Sequence, residues 1–516
     1  MNLTELIAAR EAFFRAHPCM SDDKKAPEFY RSLRQRPQLR PKNSKKKTVY
    51  IAVAHLVHSL TTFLEGLVGD DVIGAFIPKG SQTVKNIADS LKEHYAPLLE
   101  HGLTKEHFFK NPERVSTFLN EFMKHYPPEE YEYQVMDHGG YFAQHMYSLP
   151  KAFFENCRGV TEHTLNGLKA YKEVIEKHGQ LLSPVYSIAT SKVKVQENNE
   201  VADSICNAIF SQILGAEGLH RPTSRLEKVA FIGAGNIGRN TAKMVSKRLR
   251  RQASLVVCDI DPYAREKTNE DIPSAKVVSD QAEAIKDADL IFVATSGVAL
   301  NAEDFTSMRS GTCVVFGTSY DSVVSENALV GYQKNDALTT DYVTCLEHET
   351  TGHTLYLAAH GGSVNFLAGS TSHPIIHAVL GEVVTLSDQL KRLTPFERKN
   401  ACKHVTVCNK YDDQYIREKW EKQYGPMTDY NSLSRLVENG WKVPRNNDFA
   451  YVGRETVISN THANLQHDKV SLIAPERNRQ HGLGISATAT HYLHTHAEHY
   501  PIQIWLDANS QEALFR

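Results

Sequence analysis

Gly233-Ala234-Gly235-Asn236-Ile237-Gly238 is the stretch whose residue types and spacing most directly imply chemistry. A short apolar run, KVAFI at 228–232, precedes it, and a helical pattern to about residue 251 follows. A second apolar run then ends at Asp259, 21 residues beyond Gly238. In this context each glycine has a physical task. Gly233 permits a tight turn, Gly235 lets the backbone approach a pyrophosphate, and Gly238 lets the helix pack on the strand. Asn236 and Ile237 open the helix, where free N–H groups and the positive dipole end favour phosphate. Asp259 is placed to accept from both ribose hydroxyls and to repel a 2′-phosphate, so the expected cofactor is NAD rather than NADP.

Two other groupings contain residue types that bind metal. His491, His494, His496 and His499 are close in sequence, but no single helix or strand gathers all four on one face. The eight cysteines are scattered without a CxxC pair, and several lie in apolar runs such as Val256-Val257-Cys258. No metal site is therefore expected; reduced, buried thiols and a cytoplasmic setting are.

Alternating strand and helix patterns must position these residues. Strands are predicted at 48–54, 71–77, 131–137 and 181–188, with helices over 55–68, much of 82–126 and 164–178. A helix over 199–214 leads to strands at 228–232, 254–259, 275–278, 290–295, 312–317 and 337–343, and a helix near 375–393 closes the region. The predicted fold class is α/β: a Rossmann-type NAD-binding domain inserted after an α/β substrate domain, plus a C-terminal extension of mixed structure. The expected boundaries are an N-terminal helix and basic linker over 1–47, a substrate domain over 48–205, and the NAD-binding domain over 206–375. A returning helix spans 376–393 and the extension 394–516.

Composition narrows the function classes. The chain has 516 residues, a formal net charge of -2, 41% hydrophobic and 23% charged residues, as in ordinary globular proteins. That balance argues against a nucleic-acid coat. The run RSLRQRPQLRPKNSKKK at 31–47 carries eight basic residues and no acidic one, and reads as a solvated linker. No apolar run approaches the ~18 residues of a membrane span.

Further segments resemble the adenosylhomocysteinase family, in order, from about residue 48 to 393. They are IAVAHLVHSLTTFLEGLV at 51–68, MDHGG at 136–140, GVTEHTLNG at 159–167, KVKVQENN at 192–199, DIDP at 259–262, VATSG at 293–297, and Val364-Asn365 followed by Ser372-His373-Pro374. The resemblance implies transient oxidation of a ribose hydroxyl by a tightly held NAD, with a base for the hydroxyl and one for the acidified carbon. It places His55 on an active-site histidine, Lys192 on a catalytic lysine, and Thr164, Thr295 and Asn365 near the cofactor. His373 and Gln196 fall near the substrate. His138 stands where the family has a catalytic aspartate, and His163 where it has a ribose-binding glutamate. With Gln196 in place of an aspartate, these changes remove about three negative charges and move two groups from carboxylate to imidazole titration.

The expected function is thus an NAD-dependent, adenosylhomocysteinase-like enzyme acting on a hydroxyl of a nucleoside or related substrate. His55, Lys192, His163 and His138 are its acid–base set. The resemblance also implies a homo-oligomer. Two alternatives stay open: a non-catalytic NAD-binding regulator or scaffold, and a dehydrogenase with exchangeable NAD.

Overall fold

The computed structural model describes residues 1–427 except 18–22, 37–43, 58, 70, 80–84, 216–217, 222–224, 250–251, 296, 318–322, 326, 369–370 and 372. The histidines at 491–499 and most of the predicted extension lie outside the described residues. The described chain forms two units, one of residues 1–197 with 371–427 and the other of residues 198–368.

The first unit is built on parallel strands β1 (Lys47–Ala54), β2 (Val72–Pro78), β3 (Tyr131–Asp137), β4 (Cys157–Glu162) and β5 (Val185–Ser187). A sixth strand, Val405–Val407, pairs with β5, so that the order is Val405–Val407, β5, β4, β3, β1, β2. All neighbours are parallel. Seven of the eight residues of β1 are buried, as the continuous apolar run TVYIAVA requires of a strand covered on both faces. Helices and aromatic residues cover it; Tyr133, for example, stacks on Phe153 with ring centroids 5.1 Å apart.

Residues 394–427, expected within a separate extension, belong to this first unit. They supply the strand beside β5 and the helix Lys410–Tyr424, whose Trp420 is fully buried and donates to the Pro374 carbonyl at 2.5 Å. Two arginines of the basic run also turn inward. Arg34 donates to the carbonyls of Gly66 and Leu67, and Arg36 pairs with Asp412 at 2.5 Å. These contacts pin the helix Lys25–Leu33 rather than form a charged patch.

The second unit is a doubly wound α/β domain built on one eight-stranded sheet. Its strands are β6 (Lys228–Ile232), β7 (Ser254–Cys258), β8 (Lys276–Val278), β9 (Leu290–Val293), β10 (Thr312–Phe316), β11 (Tyr332–Lys334), β12 (Val343–His348) and β13 (Thr354–Ala358), in the order β11-β12-β13-β10-β9-β6-β7-β8. Parallel pairing runs from β8 to β13, and β11 and β12 add an antiparallel edge. The strand predicted at 337–343 is replaced by β11 and β12 on either side of it. Asn335 makes the turn between them, its Oδ1 accepting from the Leu338 N–H at 3.2 Å.

Candidate active site and dinucleotide cradle

Four neighbouring strands of the first sheet each end one residue before a basic or titratable side chain. β2 is followed by Lys79, β1 by His55, β3 by His138 and β4 by His163. Parallel pairing therefore brings together residues 24 to 108 positions apart in sequence. The His55 and His138 rings meet edge to face with centroids 5.0 Å apart, and His138 lies 4.5 Å from His163. The C-terminal ends of parallel strands are where open α/β sheets bind ligands.

Two buried carboxylates brace this edge. Asp137 accepts from the backbone N–H groups of His138, Tyr141 and Phe142 at 2.8–3.1 Å and from the Tyr171 hydroxyl at 2.6 Å. Glu162 accepts from the N–H groups of Gly139, Gly140 and Thr164 and from the Thr164 hydroxyl, at 2.6–3.3 Å. Together they hold the turn at 138–140 and the loop at 163–164 in place. Burial raises both carboxyls, Glu162 up to about 8 with Asp137 adding repulsion. A glycine is required at 167, since a Cβ there would sit 2.0 Å from the Glu162 carboxyl carbon.

Burial, reinforced by nearby ammonium groups, keeps the imidazoles neutral. His55 falls to about 3, through burial and then the charge of Lys79. His138 and His163 are lowered well below the ordinary value, again by burial first, then by Lys79 for His138 and Lys194 for His163. Burial also brings Lys79 down to about 8. The edge therefore presents neutral imidazoles and an ammonium that titrates near neutrality, a combination suited to moving protons.

The lysine facing the histidines is Lys194, not Lys192. Lys192 is exposed and its backbone N–H bonds Asp413, whereas Lys194 is paired with Glu197 and its charge acts on all three imidazoles. Gln196 is half-buried on the same helix, Lys192–Asn207. Thr164 lies in the first unit, where its hydroxyl caps the helix Leu165–His178 by accepting from Gly167 at 3.0 Å. His373 opens the helix His373–Leu390, also in the first unit. Sequence reading missed Lys79 and Lys194; the signal for Lys79 was a lysine directly after the apolar run VIGAFIP.

In the second unit the glycine fingerprint joins β6 to the helix Asn236–Leu249. Gly233 has φ +95°, and a Cβ there would lie 2.6 Å from the Ala294 carbonyl oxygen. A Cβ on Gly238 would lie 1.9 Å from the Gly233 carbonyl oxygen. One on Gly235 would meet nothing within 4 Å, so this backbone has an open face. Gly235 and Asn236 are exposed and Ile237 is half-buried. Asp259 follows β7 and its carboxylate accepts from the Ala234 N–H at 2.6 Å, which ties the acid to the glycine turn. Thr295 follows β9 and donates to the Gly297 carbonyl at 2.8 Å. Asn365 is buried, accepting from the Ser363 hydroxyl through its side chain and from the Ser204 hydroxyl through its carbonyl. An open glycine backbone at a helix start, with a carboxylate beside it, fits a dinucleotide.

Comparisons with known proteins find distant similarities. Residues 228–302 match the family model described as NADP oxidoreductase coenzyme F420-dependent. Over 321 residues the chain is 25% identical to the adenosylhomocysteinase of Thermotoga maritima, a match covering 60% of this chain and 73% of that relative. Among solved structures, similarity is found to a glyoxylate reductase from Paecilomyes thermophila, at 13% identity and a TM-score of 0.36, covering 69% of this chain and 100% of that one. It is also found to D-lactate dehydrogenase from Aquifex aeolicus, at 15% identity and a TM-score of 0.26, covering 41% and 68%. The chain is thus distantly similar to adenosylhomocysteinase, and its second unit has an NAD(P)-binding fold.

Proposed function

We propose that this protein is an NAD-dependent enzyme that oxidises a hydroxyl of a nucleoside or related substrate, transiently, in the manner of the adenosylhomocysteinase it resembles. The observation that carries the reading is the convergence of His55, His138 and His163 with Lys79 and Lys194 at one sheet edge, in a chain that also folds a dinucleotide cradle. When bound, NAD supplies the hydride acceptor. This chain's residues supply the rest. Lys194, held by Glu197 as an ammonium, donates to the hydroxyl oxygen while the proton passes to and returns from the neutral imidazole of His55. A neutral imidazole of His138 or His163 serves as the base for the acidified carbon, since a protonated ring could not accept. Asp137 and Glu162 hold the turns that carry those rings. Asp259 favours NAD over NADP by charge.

The test uses the purified full chain. Bound nucleotide is released and identified, then adenosine, adenosylhomocysteine and related nucleosides are added while the reduced nicotinamide absorbance is followed. Co-purified NAD that becomes reduced, with a thiol or water exchanged at the neighbouring carbon, supports the reading. NAD that stays oxidised across the panel overturns it in favour of a non-catalytic NAD-binding regulator.

A further inference from the structure

The polar atoms at the first sheet edge are not all partnered by its own side chains. The two nearby buried carboxylates are spent on local donors. Asp137 has four donors, three of them backbone N–H groups. Glu162 has three backbone N–H donors and a hydroxyl. Lys79 lies over the same turn, its Nζ 3.4 Å from where a Cβ on Gly139 would be. Among the described residues its ammonium makes no hydrogen bond or ion pair. His163 is only 4% exposed, yet its Nδ1 is buried with no hydrogen-bond partner among them. An unpaired buried polar atom of this kind is costly, and the half-buried Lys79 ammonium beside it has no ion-pair partner of its own among the described residues. Both are partnered by one ligand that accepts hydrogen bonds and carries negative charge.

A metal ion does not meet this need. Two ammonium groups repel it, and among the described residues the set close enough to share one ion is Glu382, Cys408 and Asp413, not the three histidines.

We propose that the ends of β1–β4 form an oxyanion site, in which Lys79, Lys194, His138 and His163 hold a carboxylate or phosphate group of the substrate. The inference rests on the reading of this edge as the substrate site, and it narrows the substrate to an anionic one. Charge-assisted bonds from ammonium groups suit either oxyanion. His163 would donate from Nδ1, and His138, tilted 31° against it, would complete the wall.

The experiment titrates the full chain, with the nucleotide it carries, by calorimetry. Sulfate serves as the phosphate-like probe and acetate as the carboxylate probe. Saturable binding of one or both is expected, and the tighter probe identifies the oxyanion type. Lys79→Met should weaken it at least tenfold and His163→Gln severalfold, while Lys276→Met, in the second unit, leaves it unchanged. Should Lys79→Met fail to fold, the wild type still decides. Lys79 is faced by Glu162, Asp137, Lys105, Lys194 and His55 and titrates at about 8, so sulfate affinity should fall as pH rises past that value. No saturable heat from either probe overturns the proposal, as does wild-type affinity in folded Lys79→Met or a flat pH profile. Sulfate binding by a chain whose NAD is never reduced would overturn only the redox reading. Reduction of NAD by a neutral nucleoside, with no oxyanion binding, would overturn only this one.

Discussion

Lys192 and Lys194 are two positions apart on one helix, hence roughly 200° apart around its axis. That rotation separates an exposed side chain beside Asp413 from one paired with Glu197 and facing three imidazoles. If the Lys194 ammonium stabilises the hydroxyl oxygen as its proton leaves, Lys194→Ala should slow substrate-dependent NAD reduction by about 10²-fold or more. Lys192→Ala should change it less than about threefold, within the range of general context effects. Single-turnover absorbance measurements on both variants decide; the opposite ranking would return the role to Lys192. Asp259 is argued on the same scale. Its carboxylate both braces the Ala234 N–H and repels a 2′-phosphate. Asp259→Asn keeps an acceptor for Ala234 and removes the charge. NAD affinity should fall by about tenfold, equivalent to ~1.4 kcal/mol, and the preference against NADP should shrink. Competition binding of the two nucleotides checks this, and an unchanged ratio would show that Asp259 does not set the choice.

The helix Lys192–Asn207 shows how one element's start decides what its residues do. Ser191 precedes it, accepting from the Lys194 N–H at 3.1 Å and donating to Glu382 at 2.7 Å. Removing this hydroxyl loses a helix cap, about 1 kcal/mol, and leaves buried Glu382 short of a donor, roughly 1–3 kcal/mol more. Ser191→Ala should therefore lower unfolding stability by about 2–4 kcal/mol, and Ser191→Thr should recover part of it. Urea midpoints of the two variants test the anchor. The sequence pattern starts this helix at residue 199, because KVKVQEN alternates apolar and polar residues as a strand would. Without that start, the rotation that leaves Lys192 exposed and Lys194 half-buried was unreadable. Strands with continuous apolar runs, such as β1, β6 and β10, were legible, as was the glycine fingerprint with Asp259. β4 was not: CRGVTE has a mixed pattern, and its neighbours β3 and β5, far apart in sequence, make it a strand. Lys79 was missed for the same reason. A lysine after an apolar run gains meaning only when pairing of β1 with β2 and β3 sets it beside three histidines.

At the scale of the whole molecule, the chain leaves the first unit after Glu197, builds the second, and returns at Thr371 to finish the first. The return covers the edge of β5 and buries Trp420. A chain ending at residue 394 loses both. Burying one large side chain is worth about 1.5–3 kcal/mol and an unpaired strand edge adds to the loss, against a total stability of about 5–15 kcal/mol. The shortened chain should be markedly more susceptible to proteolysis in the first unit, and equal resistance would show that the return is dispensable. Acid stability tests the charge arrangement of the same unit. His163 stays neutral when folded, its imidazole lowered by burial, but titrates near ~6.5 when unfolded. Below that pH the unfolded chain takes up a proton the folded one refuses, so this residue makes stability fall as pH drops. Glu162 acts in the opposite sense. Burial raises it to about 8, so the folded state keeps a proton that the unfolded one loses, and its contribution disappears as pH rises from about 4.5 to 8. The two slopes oppose each other between about pH 4.5 and 6.5 and flatten the wild-type profile. His163→Gln removes one of them. Relative to wild type, the variant's unfolding free energy should rise by up to about 1.4 kcal/mol for each pH unit below 6.5. Urea unfolding at several pH values reads this difference directly. Parallel profiles for the two proteins would mean that His163 is already protonated in the folded state and that the edge carries more positive charge than its burial implies.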